Sequence, residues 1–410
     1  MSALGLLLLT IIAIPLHAQN GSSAADDKYL ARAKRILRET PLIDGHNDLP
    51  WRIREDSIAR GNVDAYDLRR HTPGHTDLDR LKKGMIGAQF WSVYTPGEYP
   101  DSGYARVQLE QIEIARRVIA KYPDRLALAL SASDIRNDFK HGKIGSLLGL
   151  EGGHAIENSL GALRAYYDLG VRYMTLTHNV TLAWADAALD SAKHQGLTPF
   201  GDSVVREMNR LGMLVDLAHV SPATMSDALN VSQAPVIFSH SGARALVDVP
   251  RNVPDSILQR VTKNGGIVMV PFVTGFVSPA VQLYDQSTRP VTSDLRAKYG
   301  NDTAAITREI TQWRAAHPEP RATLSQVADQ IEYVRKVAGV DHVGIGSDFD
   351  GITEVVQGLE DVSTFPALFA ELARRGWSDS DLRKLAGENF LRVFADAEAV
   401  SRRMQRENRF

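Results

Sequence analysis

The sequence predicts an α/β fold in which eight parallel strands close into a barrel inside a ring of helices. Short apolar runs, each closed by polar or glycine residues, alternate with longer stretches whose apolar residues recur with helical period. Eight runs are nearly continuous in apolar residues, as expected of parallel strands covered on both faces. No Ser/Gly linker, repeat or low-complexity tract divides residues 27–400. A single (β/α)8, TIM-type domain is therefore predicted over these residues.

The eight predicted strands are separated by segments with the apolar spacing of amphipathic helices, such as "RVQLEQIEIARRVIAKYP". One connection is longer and more polar than the others, at about 278–323, and is predicted to be an insertion. A partial lid over a site, a surface helical element and a dimer contact are all compatible with it. The strands are predicted within residues 41–46, 85–94, 144–154, 171–179, 212–220, 235–242, 265–273 and 342–351.

Composition excludes several classes of function. The chain has 410 residues, of which 44% are hydrophobic and 23% are charged, as in ordinary globular proteins. A formal net charge of −2 gives no reason to expect nucleic acid as a partner. The chain has no cysteine, which rules out disulfides, thiolate catalysis and cysteine-ligated metal.

The first residues predict export. An apolar run of signal-peptide length is broken by Pro15 and ends in a small residue, Ala18. It is shorter than the about 20 apolar residues of a membrane-spanning helix. We therefore expect residues 1–18 to be a signal peptide, cleaved after Ala18, and the mature protein to be periplasmic or secreted without a transmembrane helix. The alternative is a disordered or packed N-terminal extension.

Polar, potentially reactive side chains stand at the carboxyl ends of six of the predicted strands. In a parallel barrel these ends meet on one face, where active sites are built from several strands. The side chains are His46 and Asp48 (first strand), Glu151 (third), His178 (fourth), His219 (fifth), His240 (sixth) and Asp348 (eighth).

Each of these residues also has an ordinary structural interpretation. His46 and Asp48 could lie in a turn or cap a helix, and Glu151 could cap the helix that follows. The later histidines could be satisfied core residues, and Asp348 a turn residue. The joint placement at strand ends favours a common site instead. By contrast, His71 and His75 flank a Pro-Gly pair and are predicted to lie in a loop, and no partner is predicted for His154.

The donor set points to a metal centre. Three histidines and two acidic residues form a nitrogen and oxygen set that suits zinc, with manganese, cobalt or iron as other occupants. Five ligands exceed the three that one catalytic zinc usually takes from protein. Two ions that share the carboxylate of Glu151 would use all five, and such a pair can hold a hydroxide and polarise a carbonyl.

Eight short motifs, which together are highly specific, occur between about Pro41 and Phe394. They are "DGHNDLP", "GLEGGH", "YMTLTHN", "LVDLAHVS", "VIFSHSGAR", "RNVPD", "VGIGSDFDG" and "GENFLRVF". In these motifs the chain resembles the membrane dipeptidase (renal dipeptidase) family of binuclear zinc peptidases. The resemblance implies a barrel that cleaves dipeptides, in many cases with a D-residue on the carboxyl side, and a homodimer.

The resemblance also implies a ligand set. His46 and Asp48 would hold one zinc ion. His219 and His240 would hold the second ion, and Glu151 would bridge the two.

Three further residues would handle the substrate, by the same resemblance. His178 would contact the carbonyl region, and Arg251 of "RNVPD" would bind the substrate carboxylate. Asp348 would lie beside the bridging water and the free amine. One departure is that "VMVPFVTGF" has Val273, and no tyrosine nearby, where some relatives use a tyrosine in binding the carboxylate.

We therefore predict a binuclear zinc dipeptidase that hydrolyses free dipeptides without a covalent enzyme intermediate. A metal-bridging hydroxide would attack the carbonyl, while Asp348 takes up its proton and passes it to the leaving amine. His178 would stabilise the oxyanion. Two alternatives remain open: another binuclear amidohydrolase, acting on an N-acyl amino acid, lactone or cyclic amide, and a non-catalytic, metal-stabilised binding protein.

Overall fold

The computed structural model describes residues 24–98 and 103–407, which contain nine strands in one parallel sheet. The predicted signal peptide lies outside these residues. The eight predicted strands are all present, together with one that was not predicted. The strands are β1 (Leu42–Asn47), β2 (Ile86–Ser92), β3 (Leu126–Leu128), β4 (Ile144–Glu151), β5 (Val171–Thr175), β6 (Leu214–Asp216), β7 (Ile237–Phe238), β8 (Ile267–Val270) and β9 (Val343–Ile345).

Eight of the strands close into the predicted barrel. The sheet runs β2-β1-β9-β8-β7-β6-β5-β4, and β2 pairs back onto β4. The first and last strands meet at Asp44 and Ile345. Two backbone hydrogen bonds continue this seam toward the carboxyl ends of the strands. The Asp48 N–H donates to the Phe349 carbonyl over 2.9 Å, and the Asp348 N–H donates to the His46 carbonyl over 3.1 Å.

The unpredicted strand β3 lies outside the closed ring. It pairs with β4 only at Ile144–Ser146, before β5 begins to pair with β4 at Leu148. It thus fills the place beside β4 that the later start of β5 leaves open.

Helices surround the barrel, and several begin at a residue whose side chain caps the helix. The hydroxyls of Ser131, Ser159, Thr198 and Ser221 accept hydrogen bonds from backbone N–H groups of the first turns. The helices are α1 (Ala24–Glu39), α2 (Leu49–Glu55), α3 (Leu78–Lys83), α4 (Tyr104–Lys121), α5 (Ala132–Lys140), α6 (Leu160–Asp168), α7 (Pro199–Leu211), α8 (Pro222–Val231), α9 (Asp255–Asn264), α10 (Thr274–Val277), α11 (Pro279–Tyr299), α12 (Thr303–Ala316), α13 (Leu324–Ala338), α14 (Phe365–Arg374), α15 (Asp379–Arg383) and α16 (Asn389–Glu407).

The polar connection at 278–323 folds into the two helices α11 and α12, which pack against each other. The ring of Tyr284 lies 5.7 Å from that of Trp313 between them. The only buried residues of these helices are Val281 and Ala305, so both helices lie at the surface.

The inside of the barrel holds an apolar cluster and, above it, polar side chains. Tyr173 and Phe90 pack with ring centroids 4.8 Å apart, and Phe390 of α16 lies 5.4 Å from Phe90. Closer to the carboxyl ends, Asp44 and Asp216 are fully buried. Within the described parts of the chain, no helix is both long enough and apolar enough to cross a bilayer.

Candidate metal centre

The strands end before most of the predicted ligands, so these side chains lie in the loops just after the strands. Glu151 is the last residue of β4, whereas His219 and Asp348 each follow their strand by three residues. The prediction that the strands extend to these residues was therefore wrong in detail. His219 and Asp348 have left-handed backbones, with φ of 65° and 67°, which a regular strand cannot contain. Such strained positions are typical of functional sites.

The carboxylate of Glu151 lies at the centre of the mouth and faces two groups of ligands. Its Oε2 is 3.5 Å from Nε2 of His46. Its Oε1 is 3.0 Å from Nε2 of His219 and 3.5 Å from Nε2 of His240. Nε2 of His46 is also 3.2 Å from Oδ2 of Asp48. The two oxygens of one carboxylate thus point to separate sets of nitrogen and oxygen donors.

The remaining predicted residues join the same cluster. Nε2 of His178 is 4.0 Å from Oε1 of Glu151, and Oδ1 of Asp348 is 3.9 Å from Nε2 of His46. All seven predicted strand-end residues therefore lie together. Their possible ligand atoms fall within 4.8 Å of one another in three groups, which are His46, Glu151 and His240; Glu151, His178 and His219; and His46, Asp48 and Asp348.

The donor atoms fit metal ions. Nε2 of His46 is buried and has no hydrogen-bond partner among the described residues. The Nε2 atoms of His219 and His240 lie 2.9 Å apart and point to the same space. Burial lowers the pKa of both rings well below the usual value, so both are neutral at pH 7. Neutral imidazoles and carboxylates are the ligands that zinc takes when no thiolate is present.

A cavity of about 380 Å³ adjoins the cluster. Seven further residues, which the sequence analysis did not assign to the site, line the cavity beside the predicted residues and Val273, and most of the seven are aromatic or aliphatic. Tyr94 ends the second predicted strand at the mouth of the barrel, which is the signal that could have identified it. The additional lining residues are Trp51, Tyr94, Asn179, Leu189, Phe276, Gly351 and Ile352.

Arg251 lines this cavity and is almost completely buried, with 2% of its surface exposed. One terminal nitrogen of its guanidinium has no hydrogen-bond partner in the part of the chain that the structure describes. The guanidinium carbon lies 5.4 Å from the centre of the Phe276 ring. Burial lowers the pKa of Arg251 to about 10, so the group is still charged at neutral pH. A buried cation facing a cavity is suited to binding an anionic group.

The sequence model of the membrane dipeptidase family (peptidase family M19) matches residues 30–408. The chain belongs to this family. It is 41% identical to Dipeptidase 3 of Mus musculus over 381 residues, which is 92% of this chain and 68% of that protein. The protein is accordingly a metal-dependent hydrolase of the dipeptidase class, as the resemblance implied.

Solved structures of membrane dipeptidases and related proteins agree with the fold. The probable dipeptidase PvdM from Pseudomonas aeruginosa superposes with a TM-score of 0.78 at 25% identity, covering 91% of this chain and 99% of that one. A dipeptidase AC, a metallopeptidase of family M19, superposes with a TM-score of 0.71 at 26% identity, covering 87% and 98%.

A second layer of hydrogen bonds orients the histidines of this dipeptidase. Nδ1 of His46 lies 2.8 Å from the hydroxyl of Tyr173, and Nδ1 of His219 lies 3.1 Å from Oδ1 of Asn179. Nδ1 of His240 lies 2.8 Å from the hydroxyl of Ser239. Partners at Nδ1 fix the ring orientation and keep Nε2 directed inward.

The loop after β9 is held against the site by contacts that the sequence analysis did not predict. Oδ1 of Asp350 accepts a hydrogen bond from the His75 backbone, and the Asp350 N–H donates to Nδ1 of His75. His75, predicted to lie in a loop, thus anchors the segment that carries Asp348. At Gly351 a Cβ atom would lie 2.3 Å from Oδ2 of Asp48 and 2.6 Å from Oδ1 of Asp348, so no side chain fits there.

His154, for which no partner was predicted, is buried beside the cavity. Its Nε2 lies 2.7 Å from the Thr95 carbonyl, and its ring lies 4.8 Å from that of Tyr104. Burial lowers its pKa to about 4. These contacts assign His154 to the packing of the loops around the mouth.

Proposed function

We propose that this protein is a binuclear zinc dipeptidase that hydrolyses the peptide bond of free dipeptides, including those with a D-residue on the carboxyl side. The observation that supports it best is the placement of Glu151, whose two oxygens face different ligand groups. In this proposal His46 and Asp48 hold one zinc ion. His219 and His240 hold the other, and Glu151 binds both.

When bound, two zinc ions supply a water of lowered pKa and polarise the scissile carbonyl. The residues around them have separate tasks. Burial raises the pKa of Asp348 well above its usual value, so this carboxyl group is poised to accept a proton and return it to the leaving amine. Burial lowers the pKa of His178, so its neutral ring has one N–H to donate to the developing oxyanion.

Recognition of both ends of the substrate would restrict the reaction to dipeptides. The guanidinium of Arg251 binds the terminal carboxylate in this proposal, and Asp348 lies close to the free amine. A cavity of 380 Å³ is near the lower limit for organic ligands, which agrees with a short substrate. Phe276 forms the wall beside Arg251, and Val273 lines the cavity where some relatives use a tyrosine in binding the carboxylate.

Three further parts of the proposal depend on the sequence alone. They are the removal of residues 1–18 as a signal peptide, export to the periplasm or the medium, and assembly into a homodimer. The catalytic domain would span residues 27–400, with 278–323 as its insertion.

A panel of L,L- and L,D-dipeptides, assayed beside their C-terminal amides and N-acetyl derivatives, tests the proposal. We expect that blocking either terminus slows hydrolysis more than any change of side chain does. Amides cleaved as fast as free acids would remove Arg251 from its proposed role. Preferred hydrolysis of N-acyl amino acids, lactones or cyclic amides would favour the other binuclear amidohydrolases, and no hydrolysis by zinc-loaded protein would favour a binding protein.

A further inference from the structure

A second, larger cavity lies at the end of the barrel opposite the candidate metal centre. Pro41, Ile86, Arg125 and Ile144, which precede or open β1, β2, β3 and β4, line it. The candidate metal ligands lie at the other ends of the strands, and the two cavities share no residue. The volume of 910 Å³ is in the upper part of the range for sites that hold small organic ligands.

The rim of this cavity carries a strong excess of positive charge. The one carboxylate among the lining residues is that of Glu39. It pairs with two arginines outside the lining, Arg35 at 3.5 Å and Arg383 at 3.9 Å. The cationic residues that line the cavity are Arg38, Lys82, Arg125, Arg136, Lys140 and Lys143. Within residues 28–98 and 103–407, none of these six cations forms an ion pair.

This charge is local, because the whole chain has a formal net charge of −2. Most arginines elsewhere on the surface lie beside carboxylates, for example Arg69 at 2.7 Å from Asp124 and Arg335 at 2.6 Å from Asp381. Several cations that surround one concave surface and form no ion pairs there create a positive potential. The potential favours an anionic ligand over a neutral or cationic one.

The floor of the cavity is apolar. Leu37, Ile86 and Ile144 are buried beneath it, and Met85 and Phe139 are half-buried in its wall. The cationic side chains of Arg38, Lys82, Arg136 and Lys140 are exposed around this floor. A simple inorganic anion would leave the apolar floor wet, and a neutral hydrocarbon would leave the rim charges without partners.

We propose that this cavity binds an amphipathic anion, with one phosphate or carboxylate head group on an apolar body. The head group pairs with the cations of the rim, and the apolar body covers the floor. The same chemistry is offered by a free organic phosphate and by a phospholipid at a bilayer surface. The binding site is separate from the proposed reaction, so its occupancy need not change dipeptide hydrolysis.

Calorimetric titration of the zinc-loaded, full-length protein with decyl phosphate, below its micelle concentration, tests the pairing of charge and apolar surface. We expect saturation at one ligand per chain and weaker binding at higher salt concentration. Inorganic phosphate, which lacks the chain, and decyltrimethylammonium, which has the opposite charge, should each bind at least about tenfold more weakly. Equal binding of either probe would overturn the proposal.

A matched pair of variants locates the binding site. Lys82 lines the cavity, whereas its neighbour Lys83 does not, and both are exposed. We expect K82E/K140E to weaken decyl phosphate binding at least about tenfold, because two attractive charges become repulsive. The control K34E/K83E makes the same change in net charge outside the cavity and should stay within about twofold. Equal losses in both variants would contradict a site in the cavity.

Dipeptide hydrolysis should be unchanged in both variants, which shows that they are folded. Vesicles that contain phosphatidylglycerol distinguish the two sources of the ligand. If decyl phosphate releases the protein from such vesicles, the lipid head group enters the cavity. If decyl phosphate binds but the vesicles do not, the ligand is a free molecule. Binding to vesicles without binding of decyl phosphate would overturn the proposal.

Discussion

The barrel contains two kinds of buried acid, and they differ in what surrounds their oxygens. Inside the barrel, Asp44 accepts hydrogen bonds from the Ser347 N–H and hydroxyl, each over 2.7 Å, and from the amide of Gln89 over 3.0 Å. At the mouth, the one hydroxyl donor to Glu151 is that of Ser92, over 3.2 Å, among the residues that the structure describes. Four imidazole nitrogens also lie within 4.0 Å of the Glu151 oxygens.

The difference indicates a structural role for Asp44 and a candidate metal-binding role for Glu151. A buried carboxylate is costly unless donors satisfy it, and the protein provides those donors to Asp44. At Glu151 it provides mostly imidazole nitrogens, which accept when the ring N–H lies at Nδ1, and a metal cation would satisfy both these nitrogens and the carboxylate. Asp216 connects the two regions, because it accepts from the hydroxyl of Ser239, which contacts His240.

The largest effect is expected at Glu151. Purified protein should contain close to two zinc-like ions per chain and lose activity on chelation. Glu151→Gln should reduce activity and metal content more than Asp48→Asn, because Asp48 serves one ligand group and Glu151 serves both. The loss should exceed the about 10–100-fold that follows from altering an outer partner of a ligand. Metal analysis beside turnover measures both, and one ion in fully active enzyme, or equal losses in the two variants, would contradict the bridging role.

A loss of about 10²–10⁴-fold in turnover is expected for Asp348→Asn, with both metals retained. Asn tolerates the left-handed backbone at this position and keeps the shape of the side chain, but it cannot accept a proton at neutral pH. A phosphinate mimic of a dipeptide should therefore bind almost as tightly as before. Loss of one metal ion in step with activity would instead make Asp348 a ligand.

Intermediate effects, on zinc affinity and on stability respectively, are expected at Ser239 and Ser347, which contact the buried acids. Ser239→Ala removes the partner of His240 and should weaken zinc binding by about 10–100-fold. Ser347→Ala removes a donor to Asp44 and should lower the free energy of unfolding by about 1–3 kcal/mol with zinc affinity unchanged. Competition with a chelator and unfolding in denaturant measure the two quantities. The same response in both variants would remove the distinction between interior and mouth.

The smallest effect on turnover is expected at His154, whose influence should appear in stability. Because burial lowers its pKa from 6.5 to about 4, the unfolded chain binds a proton between these values that the folded protein does not. The neutral His154 ring therefore contributes about 3 kcal/mol to the free energy of unfolding above pH 6.5, and this contribution is lost as the pH falls to about 4. In chelator-treated protein, His154→Gln should remove this part of the pH dependence of unfolding. His141→Gln, at an exposed histidine, should leave it unchanged.

Much of the fold could be predicted because long apolar runs and helical spacing are properties of the sequence itself. The eight barrel strands were identified in this way. Strand β3 was missed because its three residues lie in "LALAL", which is too short to distinguish strand from helix. The extension of the strands to His219 and Asp348 was also wrong, because a left-handed residue has no marked sequence signal when it is not glycine.

The seven residues at the mouth could be predicted because barrel topology alone brings strand ends together. Their outer partners could not. Ser239, Asn179 and Tyr173 are residue types found throughout the chain, and only the direction of each side chain in the closed barrel makes it a partner of a histidine. The same is true of His75, which lies far from Asp350 in sequence and forms two hydrogen bonds with it.

The seam between β1 and β9 has a consequence for the order in which the enzyme is made. His46 and Asp48 leave the ribosome about three hundred residues before Asp348, as their positions in the chain require. The bonds between Asp48 and Phe349, and between Asp348 and His46, form only when the last strand arrives. An unfinished chain therefore lacks both the closed barrel and the group proposed to carry the proton. Synthesis itself delays hydrolysis until the chain has been made past Asp348.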